Sequence, residues 1–223
     1  MSDLNSFFAH LDKGKPSIDD YGRGMHMCFK NAESLLTEAE YLRGVKSPRA
    51  LSLGVLALEE IGKIFLLCDV AGRETLKPGL WTTQRKGAFR SHRHKQGLAA
   101  VYGSALLNKL YKDGYPYYET VIPSGAIPLL DRFKQWGFYV DFLAGTFQSP
   151  KTFGDENEEW IDWVISAAKE RIESIRPLHE TEEMSVWLGR TVNAMVFMLK
   201  DSQSVEDVEV RLREFIKTLQ KPK

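Results

Sequence analysis

Between Phe89 and Gln96 the chain reads FRSHRHKQ, two histidines and three cations in eight residues. An imidazole moves protons near neutral pH, and arginine and lysine hold phosphate oxygens. Cleavage of RNA through its own 2′-hydroxyl needs these parts: a base, an acid, and cations facing the charge that builds on phosphorus. No metal is obligatory for it. If one helix carries this stretch, Arg85, Ala88, Lys95, Gln96, Ala99 and Gly103 fall within about 60° of His92 on the wheel. His92 and Lys95 then continue an apolar stripe and point inward, and the small Ala99 and Gly103 leave room beside them. Arg90 and His94 lie on the opposite side, in line with Leu98 and Val101. Arg90, Arg93, His94 and Lys86 are the candidate contacts to RNA phosphates.

A second set of charges stands in the preceding apolar segment, SPRALSLGVLALEEIGKIFLLCDVAG. Ser52, Leu56, Glu59, Lys63 and Leu66 share one stripe at helical spacing, and Glu60 lies three residues before Lys63. Charges within so apolar a helix must be paired, because an unpaired buried ion costs several kcal/mol. The partners are each other, another helix or a ligand. With His92, Arg85 and Lys95, the residues Glu59, Glu60 and Lys63 form the candidate catalytic group. The competing reading is a core histidine bonded to Glu59 or Glu60 within a structural ion network. The sequence has no CxxC, no HExxH and no Glu-x-x-His pair of the kind that builds carboxylate-bridged metal sites. No metal and no cofactor are expected.

The helices that must position these residues are legible in part. Ser17 with Asp20 forms a capping box that opens a helix running to about Leu42, with Phe29, Ala32, Leu35, Leu36, Ala39 and Leu42 on one stripe. Ser47 caps the next helix, Pro48 takes its first position and Gly72 ends it. Its apolar residues cover most of its circumference, which predicts a central place in a bundle. Thr82 or Thr83 opens the helix that carries FRSHRHKQ and continues to about Tyr111. A loop rich in proline and glycine follows, then a helix from about Pro128 to Phe142. LAGTFQSPKTFG reads as irregular. Asp155 caps a helix with Trp160, Trp163, Val164, Ala167, Ile172 and Ile175 on one side, and Pro177 stops or kinks it. Helices over about 181–200 and 204–219 complete an all-α chain read as one domain over 1–223.

The 223 residues are 43% hydrophobic and 27% charged with zero formal net charge, the profile of a soluble globular protein. The charge is unevenly spread. Thr75–Lys112 holds eight Lys/Arg and no acid, whereas Asp155–Glu183 holds ten acids and three bases. The basic stretch suits an anion, or else packs against the acidic one. Cys28 and Cys68 sit among apolar helical residues and read as free buried thiols. No signal core or membrane span is apparent, so the expected location is the cytoplasm.

Four segments together resemble the AbiV family of abortive-infection proteins, a branch of the all-helical HEPN superfamily. They are NAESLLTEAEYL, RALSLGVLALEEIGKI, FRSHRHK and GFYVDFLAGTFQSP, in order over Asn31–Ser149. By match, Glu59, Glu60, Gly62 and Lys63 take one motif, His92 and Lys95 another, and Tyr139 and Asp141 the YVD piece. The resemblance implies an all-α, HEPN-like helical bundle over about 17–176 with additional C-terminal helices over about 181–220. It implies a bacterial defence protein, a toxin that halts phage propagation by blocking translation or damaging RNA. HEPN relatives often form homodimers and build a metal-independent ribonuclease site from an arginine and a histidine a few residues apart. Here six residues separate Arg85 from His92 and three separate Arg90 from His94. A phage-protein trigger or an antitoxin is a further implied partner. The alternative is a non-catalytic defence protein that occupies a phage protein or the translation machinery, with the charged cluster structural.

Overall fold

The computed structural model describes residues 16–74, 91–102, 126–143 and 145–199, with positions 207, 210, 211 and 214. Its elements in chain order are α1 (Ile18–Gly44), α2 (Arg49–Glu74), α3 (His92–Tyr102), α4 (Ile127–Trp136), β1 (Asp141–Leu143), β2 (Thr146–Gln148), α5 (Pro150–Glu156), α6 (Glu158–His179) and α7 (Glu182–Leu199). The expected all-α architecture is observed, with one short antiparallel hairpin added. No helix among the described residues is long and apolar enough to cross a membrane.

The capping box opens α1: the Ser17 hydroxyl accepts from the Asp20 amide, and the Asp20 carboxylate accepts from the Ser17 amide at 2.8 Å. Tyr21, Met25, Phe29, Ala32, Leu36 and Ala39 form its buried stripe. Repeats of three and four keep those residues on the side facing α2. As its apolar circumference requires, α2 is central and touches α1, α3, α4, α6 and α7. Gly72 does not end it. The helix runs on to Glu74 because the missing side chain serves packing instead; a Cβ on Gly72 would stand 2.9 Å from Val192 of α7.

Other boundaries also differ from the sequence reading. Asp155 lies inside α5 and does not cap α6, which starts at Glu158, and Pro150–Glu156 is helical where irregular chain was expected. Ser91 is not helical, so α3 starts at His92 rather than passing through from Thr82 or Thr83. The helix expected to reach Phe142 stops at Trp136, and Asp141–Leu143 pairs with Thr146–Gln148 around Gly145, whose φ of +84° suits a residue without Cβ. Strands of three residues are too short for a period of two to show. Pro177 lies inside α6, which reaches His179. That end is tied down twice: His26 Nδ1 donates to the His179 carbonyl at 2.9 Å, and the His179 ring meets Ser185 Oγ at 2.9 Å. The last helix, expected over 204–219, lies mostly outside the described residues.

An aromatic group fixes α4. Phe133 and Trp136 stack with Phe153 of α5 and Trp160 of α6 at centroid distances of 4.8–6.1 Å. Leu130 is buried in the main core, and the next turn carries Lys134, also buried. One face of α4 therefore anchors in aromatic rings while another delivers a lysine toward α2.

Candidate functional site

Glu59 is the centre of the site. Its side chain is 3% exposed, and among the described residues its two oxygens are shared by four groups from two helices. Oε2 meets His92 Nδ1 at 2.6 Å and Lys95 Nζ at 3.5 Å. Oε1 accepts from Gln96 Nε2 at 2.9 Å and from Lys134 Nζ at 3.1 Å. Lys95, Gln96 and Lys134 are all buried. Burial works to raise the Glu59 carboxyl. The hydrogen bonds from His92 and Lys134, with the charges of Lys134 and Lys95, outweigh it and hold the group below the ordinary carboxylate range.

The approach of α3 that makes this possible depends on Gly62. A Cβ there would stand 2.0 Å from the Lys95 carbonyl oxygen and 2.6 Å from its carbon, so α3 lies directly on the α2 backbone. The spacing in LEEIGK thus has a physical content. Glu59 and Gly62 are three residues apart on one face, the first supplying the carboxylate and the second the room for the helix that meets it.

An ionised carboxylate only accepts, so the His92 Nδ1 that faces it carries the proton and Nε2 keeps its lone pair when the ring is neutral. The His92 side chain is 48% exposed. The wheel placed it inside the bundle. Standing first in α3, it instead has one edge on Glu59 and the rest of its ring in solvent. This arrangement can take a proton from a substrate and stabilise the imidazolium that results.

The other sequence candidates divide. Lys95 joins the cluster as expected. Glu60 and Lys63 pair with each other at 2.5 Å, so the anticipated Glu59–Lys63 pair is not formed. Their neighbour on α1 is Cys28, whose thiol burial pushes up to about 12 with help from the charge of Glu60. Arg93 is exposed on the first turn of α3. Tyr139 is exposed beyond α4, 6.3 Å from the Phe138 ring, and is not among the groups that meet Glu59; Asp141 begins β1 opposite Gln148, and its side chain lies outside the described residues. Arg85, Lys86 and Arg90 lie outside the described residues, as does the side chain of His94. The wheel that placed Arg85 beside His92 assumed one continuous helix, and the break at Ser91 removes that ground.

Two participants escaped the sequence reading. Lys134 lies on a helix recognised by its apolar residues, and a lysine there reads as solvated; its i+3 relation to Asp131, met at 3.3 Å, offered an outward partner. Arg171 of α6 is buried, its Nε donating to the Ala99 carbonyl and its Nη1 to the Ala167 carbonyl, both at 3.0 Å. It ties α6 to the backbone of α3.

The family model described as AbiV, of the HEPN group, matches residues 20–169. The chain belongs to the AbiV family. The match runs through α1, α2, α3 and α4 and so contains every described residue that meets Glu59. Membership places the chain among abortive-infection defence proteins with a HEPN-type helical bundle. No curated protein and no solved structure gives a significant match.

Proposed function

We propose that this AbiV-family protein is a cytoplasmic toxin that halts phage propagation by damaging RNA, as a metal-independent endoribonuclease with His92 as its proton carrier. One observation supports the reading above others: a buried, charged Glu59 holds His92 Nδ1 at 2.6 Å while half of the ring faces solvent. In the proposed reaction Nε2 takes the proton of a 2′-hydroxyl. That oxygen attacks phosphorus, the 5′-oxygen leaves, and a 2′,3′-cyclic phosphate remains. The acid that protonates the leaving oxygen is proposed to be His92 of a second copy in a homodimer. Lys95 is buried beside the same carboxylate, so its charge is proposed to act on phosphorus through space and not by contact. Arg93 and the basic residues Arg85, Lys86, Arg90 and His94 are the proposed phosphate contacts.

The test is incubation of the purified protein with tRNA, rRNA and mRNA in EDTA, beside His92→Ala. Cleavage with cyclic-phosphate ends is expected from the wild type. It should fall in the variant by about a hundredfold or more, the usual contribution of a positioned acid–base group. Cleavage that persists in His92→Ala removes His92 from the mechanism. A folded wild type that cleaves nothing favours the non-catalytic reading, in which the protein binds a phage protein or the translation machinery.

A further inference from the structure

We propose that Lys134 is a positioning residue, which from α4 holds Glu59 as a charged acceptor and through it fixes the ring of His92. The role in catalysis rests on the reading of His92 as the reacting group; the hold on Glu59 does not. The geometry is a division of labour between two oxygens. Lys134 and Gln96 occupy Oε1, while His92 and Lys95 approach Oε2. Gln96 and a neutral His92 are uncharged donors, and Lys95 stands at the longer distance of 3.5 Å. Among the described residues, the 3.1 Å contact from Lys134 is therefore the nearest fixed positive charge. Without it, a carboxyl so buried is drawn toward its neutral form. A neutral carboxyl can donate as well as accept, and it no longer dictates which nitrogen of His92 carries the proton.

The placement of Lys134 is built into α4. The Ser52 hydroxyl donates to the Lys134 carbonyl at 2.7 Å. One turn on, a Cβ at Gly137 would stand 2.1 Å from Ser52 Oγ and 2.9 Å from the Pro48 carbonyl oxygen, so the end of α4 is pressed against the start of α2. Helix side chains lean toward their own N-terminus, which here is the direction of Glu59, two turns beyond Ser52. Among the described residues, the charged and titratable groups around Glu59 are His92 and Lys95 from α3, Lys134 from α4 with Asp131 on its other side, the mutually paired Glu60 and Lys63 on α2, and Cys28 from α1 beside Glu60.

The test follows the side-chain carboxyl carbon of Glu59 by NMR against pH, its signal assigned by loss in Glu59→Gln. Wild type should titrate below the ordinary value of about 4.3. In Lys134→Met the midpoint should rise by about one unit or more, a tenfold change or greater in proton affinity, while Lys134→Arg keeps it low. Circular dichroism checks that each variant is folded. If Lys134→Met does not fold, Lys134→Gln carries the same comparison. An unchanged midpoint in a folded variant overturns the proposal. So does an equal rise in Lys134→Arg, or loss of fold in both neutral variants, which would make Lys134 a structural ion only. No RNA is needed, so failure here and failure of the ribonuclease reading are separate results.

Discussion

Gly62→Ala perturbs the site sharply while removing none of its polar groups. The new methyl would stand 2.0 Å from the Lys95 carbonyl oxygen, against the ~3.3 Å at which carbon and carbonyl oxygen normally rest. Both partners are helix backbone, so α3 must retreat from α2 by roughly 1.3 Å, the difference between those distances. A shift of that size takes the 2.6 Å His92–Glu59 contact and the 2.9 Å Gln96–Glu59 contact out of hydrogen-bonding range. Overpacking costs about 1–3 kcal/mol, and each hydrogen bond to a charged group contributes about 1.5–3 kcal/mol. The losses share one displacement and do not add fully, so about 3–5 kcal/mol is expected in urea unfolding at neutral pH. Gly97→Ala is the internal control. It lies in α3, but among the described residues its Cβ would meet only Ile127 Cδ1 at 3.7 Å, an ordinary contact. That change should be neutral or stabilise by up to about 1 kcal/mol. If Gly62→Ala loses no more stability than Gly97→Ala, α3 does not lie on α2 as described, and the account of Glu59 falls with it.

Three further outcomes are expected. Glu59→Met leaves Lys95 and Lys134 buried without their carboxylate and should cost about 3–5 kcal/mol, whereas combining it with Lys95→Met and Lys134→Met should restore most of the loss, both read by urea denaturation. Burial, with a smaller push from the charge of His26, lowers His179 to about 4. The unfolded chain, with a histidine near 6.5, binds the extra proton first, so stability is highest above that pH and falls by about 3 kcal/mol between roughly 6.5 and 4. His179→Gln should flatten that segment of a plot of unfolding free energy against pH. Burial is also the main cause that pushes the thiols of Cys28 and Cys68 up to about 12, so a thiol reagent at pH 8 should label neither in the native protein and both in denaturant.

The residues that could be read from sequence are those whose signal is local. The Ser17–Asp20 box, the α1 stripe and the apolar girth of α2 each declare themselves within a few turns, and each appears as expected. Glu59 stood out because a charge in an apolar helix must find a partner, and Lys95 because it follows His92 by three residues. Partners that arrive from elsewhere in the chain had no such signal. Lys134 is 75 residues from Glu59, and only the docking of α4 through Ser52 and Gly137 brings the two together. The wheel failed at its origin: it assumed that Thr82 to Tyr111 is one helix, and a start at His92 turns an interior histidine into a first-turn residue with half its ring in water. Gly62 and Gly72 carry a similar lesson. A glycine in a helix reads as a weakness or a stop, whereas at these positions it is the gap through which another helix approaches.

The structural and chemical readings of the cluster meet in one physical requirement. For the bundle, Glu59 must be ionised, because Lys95 and Lys134 are buried beside it and a neutral carboxyl would leave Lys95 without its carboxylate and Lys134 with Asp131 alone. For proton transfer, Glu59 must also be ionised, because only an obligate acceptor fixes the Nδ1 proton of His92 and supports its positive form. An ion network that merely held helices together would be satisfied by burying all its members. Among the described residues, three of the four groups that meet Glu59 are buried, and the fourth, the imidazole, keeps half its ring outside. Enclosing His92 would have made the network more stable by excluding water from its shortest hydrogen bond. The open ring is the feature that a purely structural role leaves without a purpose.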